Sequence, residues 1–338
     1  MNNSNKKITV FGGSGFLGRY LIKRLCTSGW EIRVAVRDHE AAQFLRPMGD
    51  VGQISIWQTN IMNAEQVSAA VSGVAVVVNL VGILYESGIC TFENIHRAAA
   101  DLIAKASRQE GCERLIHISA LGANINSESQ YAKTKAGGEN CVANAFAGST
   151  ILRPSVVFGP EDKFFNMFAS FARFLPVLPI YGDNKSLRPS LEKKAGLGLN
   201  LYGTGGTKFQ PVYVGDVADA ILACLENQNT KGKIFELGGP KVYSFKEIIE
   251  LILSITNRTC LIIPIPMRIA MLQAFFLQLL PKPLITCDQV KLLKEDNITQ
   301  AKSLGFKDLG IEPMTAEMVV PKYLKRFSKK NYQSIVNK

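Results

Sequence analysis

Metal chemistry has little to work with in this chain. Only three histidines occur in 338 residues, at positions 39, 96 and 117, and no two have the spacing of a shared metal site. The seven cysteines (26, 90, 112, 141, 224, 260 and 287) are scattered, with no Cys-x-x-Cys pair. Neither a zinc site nor a disulfide framework is expected, and no bound metal. Several of these cysteines fall in apolar runs, where the thiol packs as a small hydrophobe, the pattern of a reducing compartment. Long hydrophobic runs are missing as well. The longest uncharged one, Ile269 to Pro281, is closed by Arg268 and Lys282 and falls short of the ~20 residues that a spanning helix needs. The polar start Met1–Lys7 leads directly into a strand pattern, so no secretory leader is expected. Acidic residues are outnumbered, 28 against 39 basic ones, for a net charge of +11. That balance favours anionic partners such as a phosphorylated cofactor or an acidic membrane surface. No nucleic-acid motif and no basic repeat interleaved with aromatics is present, which excludes nucleic acid as a partner.

What the chain does have is apolar content for a substantial core, 47% of residues, in a length that holds one large or two ordinary domains. Strand and helix patterns alternate through the first half. Strands are expected at Ile8–Phe11, Ile32–Val36, Ile54–Gln58, Val74–Leu80, Leu115–Ser119 and Thr150–Leu152. Helices are expected at about 16–28, 40–46, 64–72, 92–110 and 129–146, with Gly29 and Gly111 where two of them stop. The alternation predicts an α/β fold: a doubly wound parallel Rossmann sheet with a smaller α+β C-terminal domain. The expected division is 1–160 for the dinucleotide-binding domain, with 210–222 returning to it, 161–320 for the smaller domain, and 321–338 as a basic tail. Two further helices are expected at 215–227 and 244–256. Residues 183–202, polar, basic and without periodicity, read as an inserted surface loop. The tail, with Lys322, Lys325, Arg326, Lys329, Lys330 and Lys338, is either a solvated end or a contact for an acidic surface. The apolar stretch Ile265 to Leu280 is either a core helix or one that docks on a partner or membrane surface.

The chemistry begins with Gly12, Gly15 and Gly18, which stand between the first strand and the first helix pattern. There they serve a tight turn, a close approach of backbone to a pyrophosphate, and close packing of the helix, whose N-terminal N–H groups of Phe16, Leu17 and Gly18 face the phosphates. The second strand ends in Arg37-Asp38. A carboxylate at the strand end takes an adenine-ribose hydroxyl, whereas a guanidinium takes a 2′-phosphate, and Arg37 occupies that end. NADP(H) is therefore favoured over NAD(H), with Arg19 as a second cation. Asn60 and Ile61 follow the third strand where the adenine edge passes, and Leu80, Val81 and Gly82 close the fourth against a ribose. Tyr131 and Lys135, four apart on a helix, share one face. Both can point at a nicotinamide ribose, with the lysine cation expected to lower the phenol's pKa for acid–base work.

With these residues the chain resembles the extended and atypical short-chain dehydrogenase/reductases. The resemblance rests on the glycine fingerprint, Tyr131 with Lys135, Arg153 to Pro160 after the sixth strand, and Gln210 to Val217. His117 to Asn126 and Pro283 to Leu293 are similar to one branch of the family, the Rossmann-type accessory subunit of respiratory complex I and its bacterial homologues. The resemblance implies NADPH bound beside Pro154 and the residues above, and complex I subunits as partners. It implies a cytoplasmic protein held peripherally at the inner face of a respiratory membrane. It also implies Ser119 as the residue that orients a substrate, with Tyr131 and Lys135 as the catalytic pair. Where extended members carry a second serine this chain has Ala120, which favours a binding role over turnover. Two functions are thus expected: a protein in which NADPH is mainly structural, or an active NADP-dependent reductase or epimerase/dehydratase whose substrate the sequence leaves open.

Overall fold

The computed structural model describes residues 6–182, 190–192, 198–200 and 202–329. The chain opens with β1 (Lys7–Phe11), α1 (Phe16–Thr27) and β2 (Glu31–Val36), then β3 (Ile54–Gln58), α2 (Ala64–Val71), β4 (Val76–Asn79), α3 (Ala99–Gln109), β5 (Arg114–Ile118), α4 (Gln130–Ala145) and β6 (Thr150–Pro154). It continues with β7 (Val157–Phe158), α5 (Phe164–Phe174), β8 (Val177–Gly182), β9 (Ser190–Glu192), β10 (Gly198–Asn200), β11 (Lys208–Phe209), β12 (Val212–Tyr213), α6 (Val214–Glu226) and β13 (Ile234–Leu237). β14 (Tyr243–Ser244), α7 (Phe245–Thr256), β15 (Leu261–Pro266), α8 (Met267–Leu277), α9 (Cys287–Leu292) and α10 (Ala316–Leu324) follow. Two expected helices have a different winding. Residues Glu40–Met48 form a 3-10 helix, where Pro47 has no N–H to give to an α-turn. The pattern at 92–110 begins as a π-helical turn, Glu93–Ala98, before α3.

The chain divides into two compact units, one of 1–155, 214–238 and 299–313, the other of 156–213, 239–298 and 314–338. The first is a seven-stranded sheet in the order β3-β2-β1-β4-β5-β6-β13, parallel throughout. The inner strands β4 and β5 are buried on both faces and read as runs without alternation, whereas the edge strand β3 alternates buried and exposed positions. One face packs Phe11, Val77 and Leu115 under Val67, Ala70, Ala100, Ile103 and Val142 of α2, α3 and α4. The other lies under α1 and α6, which Arg24 ties together through Asp219. Residues 299–313, expected in the smaller domain, belong to this unit. They run along the free edge of β13, where Glu236 N–H donates to Leu304 O (2.8 Å) and Gln300 N–H to the Glu236 carboxylate (2.8 Å). An unpaired edge strand gains partners that way.

One buried cation holds part of this unit together. Arg114, at the start of β5, is fully buried, and donates to Thr230 Oγ1 (2.8 Å), Asn227 O (3.3 Å) and Cys224 O at the C-terminal end of α6. Helix C-terminal carbonyls carry partial negative charge, so dipoles meet the Nη donors, while the buried Nε has no hydrogen-bond partner. Replacing Arg114 by Met should cost about 2 kcal/mol in urea unfolding, because those acceptors lose their donors while buried. A variant as stable as the parent would contradict this role.

The second unit is built on an aromatic cluster. Phe245 meets Phe168, Phe209 and Tyr181 edge-on at 5.5–5.8 Å between centroids, beside Phe158, Phe165, Ile180, Ile248, Ile249 and Val320. α7 starts with a capping box, Ser244 and Glu247, which satisfies N–H groups at its first turn. β8 and β15 pair in parallel from Leu261↔Val177 to Pro266↔Gly182. The expected inserted loop contains β9 and β10, antiparallel partners, and its remaining positions 183–189, 193–197 and 201 lie outside the described residues, as do 330–338 of the basic tail. Within the tail Arg326 donates to Asn166 Oδ1 (2.6 Å) and Pro160 O (3.2 Å). The stretch Ile265 to Leu280 is the end of β15 followed by α8, of which Ala270 and Ala274 are the buried residues. Among the described residues no helix is long and apolar enough to cross a membrane.

Candidate functional site

Strand order reverses at β1, which lies between β2 and β4. In open parallel sheets a crevice forms there at the carboxyl ends of the strands. The turn after β1 stands at that point. Gly12 takes φ +77°, a conformation that strains any other residue, and Gly15 N–H donates to Gly12 O (3.0 Å). A Cβ on Gly18 would lie 2.3 Å from Gly13 O, so the first turn of α1 can close onto the loop only with glycine. α1 has Gly15 as its N-cap, no side-chain cap and no acidic residue in its first turn. Among the described residues the N–H groups of Phe16, Leu17 and Gly18 therefore meet no capping side chain or first-turn carboxylate, and the positive end of the helix faces the crevice.

At the end of β2 the two candidate residues separate. Asp38 is spent locally, its Oδ1 accepting from Ala41 N–H (3.0 Å) at the start of the 3-10 helix. Arg37 is exposed and donates from Nη1 to Cys90 Sγ (3.7 Å). Among the described residues no carboxylate pairs with it. Arg19 lies over the Phe44 ring, 5.1 Å from its centroid. Asn60 is held in a tight turn, its Oδ1 accepting from Met62 N–H (3.0 Å) and its N–H donating to Gln66 Oε1 (2.7 Å). Its carboxamide oxygen is thus engaged within the turn. Ile61 and Val81 pack partly buried against the core. Leu80 N–H donates to Phe11 O (3.0 Å), and Pro154 O accepts from Leu121 N–H (2.9 Å).

Tyr131 and Lys135 follow the Ser129 cap of α4, whose hydroxyl accepts from Ala132 N–H. Lys135 is 4% exposed, with Nζ donating to Ile118 O (3.3 Å). A Cβ on Gly82 would sit 3.1 Å from that Nζ, so any larger residue at 82 would crowd the buried ammonium. Burial pulls the Lys135 ammonium down to about 8, opposed by the Glu139 carboxylate one turn on. The Tyr131 phenol is not lowered as its neighbouring cation suggested. Burial pushes it up to about 12, because loss of water penalises phenolate more than the lysine favours it. Its ring is seated edge-on against Phe92 (5.8 Å) and His96 (5.2 Å).

Two histidines that no spacing singles out complete the cluster. Ile83 N–H donates to His96 Nε2 (3.1 Å), so the ring proton is on Nδ1 and meets Thr134 Oγ1 (3.1 Å). Asn79 Nδ2 donates to His117 Nδ1 (3.2 Å), which leaves the proton on Nε2. Burial holds both rings down to about 3, with the Lys135 charge lowering them further, so both are neutral. His117 Nε2 and Ser119 Oγ are buried atoms without a hydrogen-bond partner. His117 is on β5 and Ser119 follows its last residue, both in step with Leu115, which faces α4. Behind them Arg153 grips Glu139 in a bidentate pair (2.9 and 2.6 Å) and reaches Glu236 at 3.7 Å. That pairing fixes α4 against β6. A buried ammonium beside Gly82, two unpartnered polar atoms and a helix N-terminus without a side-chain cap fit a polar, phosphate-bearing molecule laid across the strand ends.

A parallel sheet reversing at its glycine turn, with tyrosine and lysine on one helix face beyond the fifth strand, defines a Rossmann-type protein of the short-chain dehydrogenase kind. The chain belongs to the NAD dependent epimerase/dehydratase family, whose model matches residues 8–238. It is 33% identical over 317 residues to the "NADH dehydrogenase [ubiquinone] 1 alpha subcomplex subunit 9, mitochondrial" of Arabidopsis thaliana, covering 90% of this chain and 74% of that one. To the subunit of the same name from Mus musculus it is 32% identical, covering 94% and 79%. Among solved structures, a nucleoside-diphosphate-sugar epimerase from Staphylococcus aureus superposes with a TM-score of 0.70 at 16% identity, over 94% of this chain and 99% of that one.

Proposed function

We propose that the chain binds NADP(H), that the cofactor is mainly structural, and that the protein assembles peripherally with a respiratory NADH:ubiquinone oxidoreductase at a membrane's inner face. The observation that carries the cofactor reading is the division of labour at the end of β2. Asp38 caps the next turn while Arg37 stands exposed, with no carboxylate partner among the described residues. A planar guanidinium suits a 2′-phosphate, and an acidic residue there would repel it. The N–H groups of Phe16, Leu17 and Gly18 hold the pyrophosphate, with Gly12 and Gly15 giving it room. Asn60 and Ile61 border the adenine. Leu80, Val81 and Gly82 face a ribose that Tyr131 and Lys135 hold, with Pro154 and Ser119 at the nicotinamide end. When bound, such a cofactor can give or take a hydride. The assembly reading is supported by relatives that are subunits of NADH dehydrogenase and share nearly the whole chain.

A phenol pushed up to about 12 and a Ser119 hydroxyl only 4% exposed favour holding over turnover. The second reading, an active reductase or epimerase/dehydratase, is favoured by the shared face of Tyr131 and Lys135 and by the unpartnered Ser119 Oγ. In it the Tyr131 O–H gives its proton to the substrate oxygen, Lys135 holds the ribose, and Ser119 orients the substrate. The test is incubation of the full chain, alongside Tyr131→Phe, with NADPH or NADP and quinones, carbonyls or nucleotide sugars. It reads both net NADPH oxidation (reductase) and altered sugar product (epimerase or dehydratase, which returns its hydride). We expect no oxidation and no sugar conversion across the panel, and NADPH affinity lowered by no more than about tenfold in the variant, because one neutral hydrogen bond contributes about 0.5–1.5 kcal/mol net. NADPH oxidation or sugar conversion that Tyr131→Phe abolishes would establish the second reading instead.

A further inference from the structure

The second unit carries an apolar helix that its own fold leaves uncovered. α8 turns Ala270 and Ala274 into the core, with Met267 and Met271 beside them. Ile269, Leu272, Phe275 and Phe276 face outward, followed by Leu279, Leu280 and Leu284. Phe276 is 61% and Leu279 73% exposed. Between Arg268 and Lys282 the exposed positions are apolar save Gln273. An exposed apolar strip of this extent marks a surface that meets something other than water.

The charges around it say what. From Leu251 to Cys287 the chain has no Asp or Glu, and none from Lys163 to Gly182, the segment whose β8 pairs with β15. Arg268 and Lys282 stand at the two ends of the strip, and Arg173 lies over the exposed ring of Phe174. Among the described residues none of the three pairs with a carboxylate. A second copy of this chain would bring cation against cation. A protein partner in water forms about one hydrogen bond per 100–200 Å² of interface, and this strip has little to offer one. An acidic bilayer matches both features, since its acyl boundary takes the side chains and its phosphates take the end cations.

We propose that α8 and the segment through Leu284 lie in the headgroup layer of a membrane rich in acidic phospholipid. Ile269, Leu272, Phe276 and Leu279 reach the acyl boundary, and Arg268 and Lys282 reach the phosphates. This names the surface for the membrane association proposed above and rests on that reading, while the cofactor site plays no part in it.

The test is co-sedimentation of the full chain with phosphatidylcholine vesicles, with and without phosphatidylglycerol. Binding should be stronger on the acidic vesicles, by about fivefold for each engaged cation. Leu272→Ser with Phe276→Ser should weaken it by at least about 100-fold. Arg268→Glu with Lys282→Glu keeps the apolar strip and should erase the phosphatidylglycerol preference. Circular dichroism and the thermal midpoint of each variant show that it is folded. Absence of vesicle binding by the parent overturns the proposal. So does equal binding by the serine variant, or a dimer in solution that this variant dissolves. NADPH binding without vesicle binding sinks the lipid inference alone; vesicle binding without NADPH binding sinks the cofactor reading alone.

Discussion

Acidifying from pH 7 to pH 5 should remove about 4 kcal/mol of folding stability, with His96 and His117 responsible for most of it. Both rings are held neutral in the native state, down to about 3, whereas in the unfolded chain they titrate near 6.5. Below pH 6.5 the unfolded chain binds two protons that the native state refuses. Stability is therefore complete above that value and falls as the pH drops toward 3, by about 2 kcal/mol for each ring on reaching pH 5. Carboxylates titrate mainly lower, so they add little in this window. Lys135, pulled down to about 8, acts at the other end. Its native form releases a proton before the unfolded one does, so stability rises between about pH 8 and 10.5. Urea unfolding at several pH values reads both trends, and His117→Asn should halve the acid slope while keeping a polar side chain. Stability that is flat between pH 7 and 5 would show that the histidines are not buried as described.

Arg37→Glu should weaken NADPH by about 150-fold, about 3 kcal/mol, while changing NADH less than about threefold. The loss combines a charge-assisted bond, at about 1.5–3 kcal/mol, with the repulsion of a carboxylate facing a phosphate. Calorimetric titration of the full chain with each coenzyme measures it. Asp38 should not matter in the same way, because its carboxylate is engaged with Ala41 N–H. Equal losses for the two coenzymes would mean that Arg37 shapes the loop rather than reading the phosphate.

Much of the first unit was legible because each layer of the signal agreed. Apolar runs set the parallel strands, glycines at 12, 15 and 18 set the turn, and a four-residue spacing put Tyr131 and Lys135 on one face. The inversion of the Tyr131 shift was not legible. A sequence shows a cation four residues away, but not how much water its folding removes from the phenol. His96 was hidden for a related reason. A lone histidine in a helical pattern has no signature until Ile83, Thr134 and Tyr131, distant in the chain, are brought around it. Residues 299–313 show no strong period and gain their place only from the free edge of β13. In Ile265 to Leu280 both faces of α8 are apolar, so periodicity could not say which one the core takes. Ala270 and Ala274 take it with Met267 and Met271 beside them, and Ile269, Leu272, Phe275 and Phe276 remain outside.

The fate of the dinucleotide in the native protein bears most directly on all of this. Full-length protein purified from its own cells, denatured, and its released nucleotide identified and counted, should yield NADP(H) at close to one per chain. Recovery of NAD(H) in its place, or of chains carrying no dinucleotide that then fail to take up NADPH, would contradict the account.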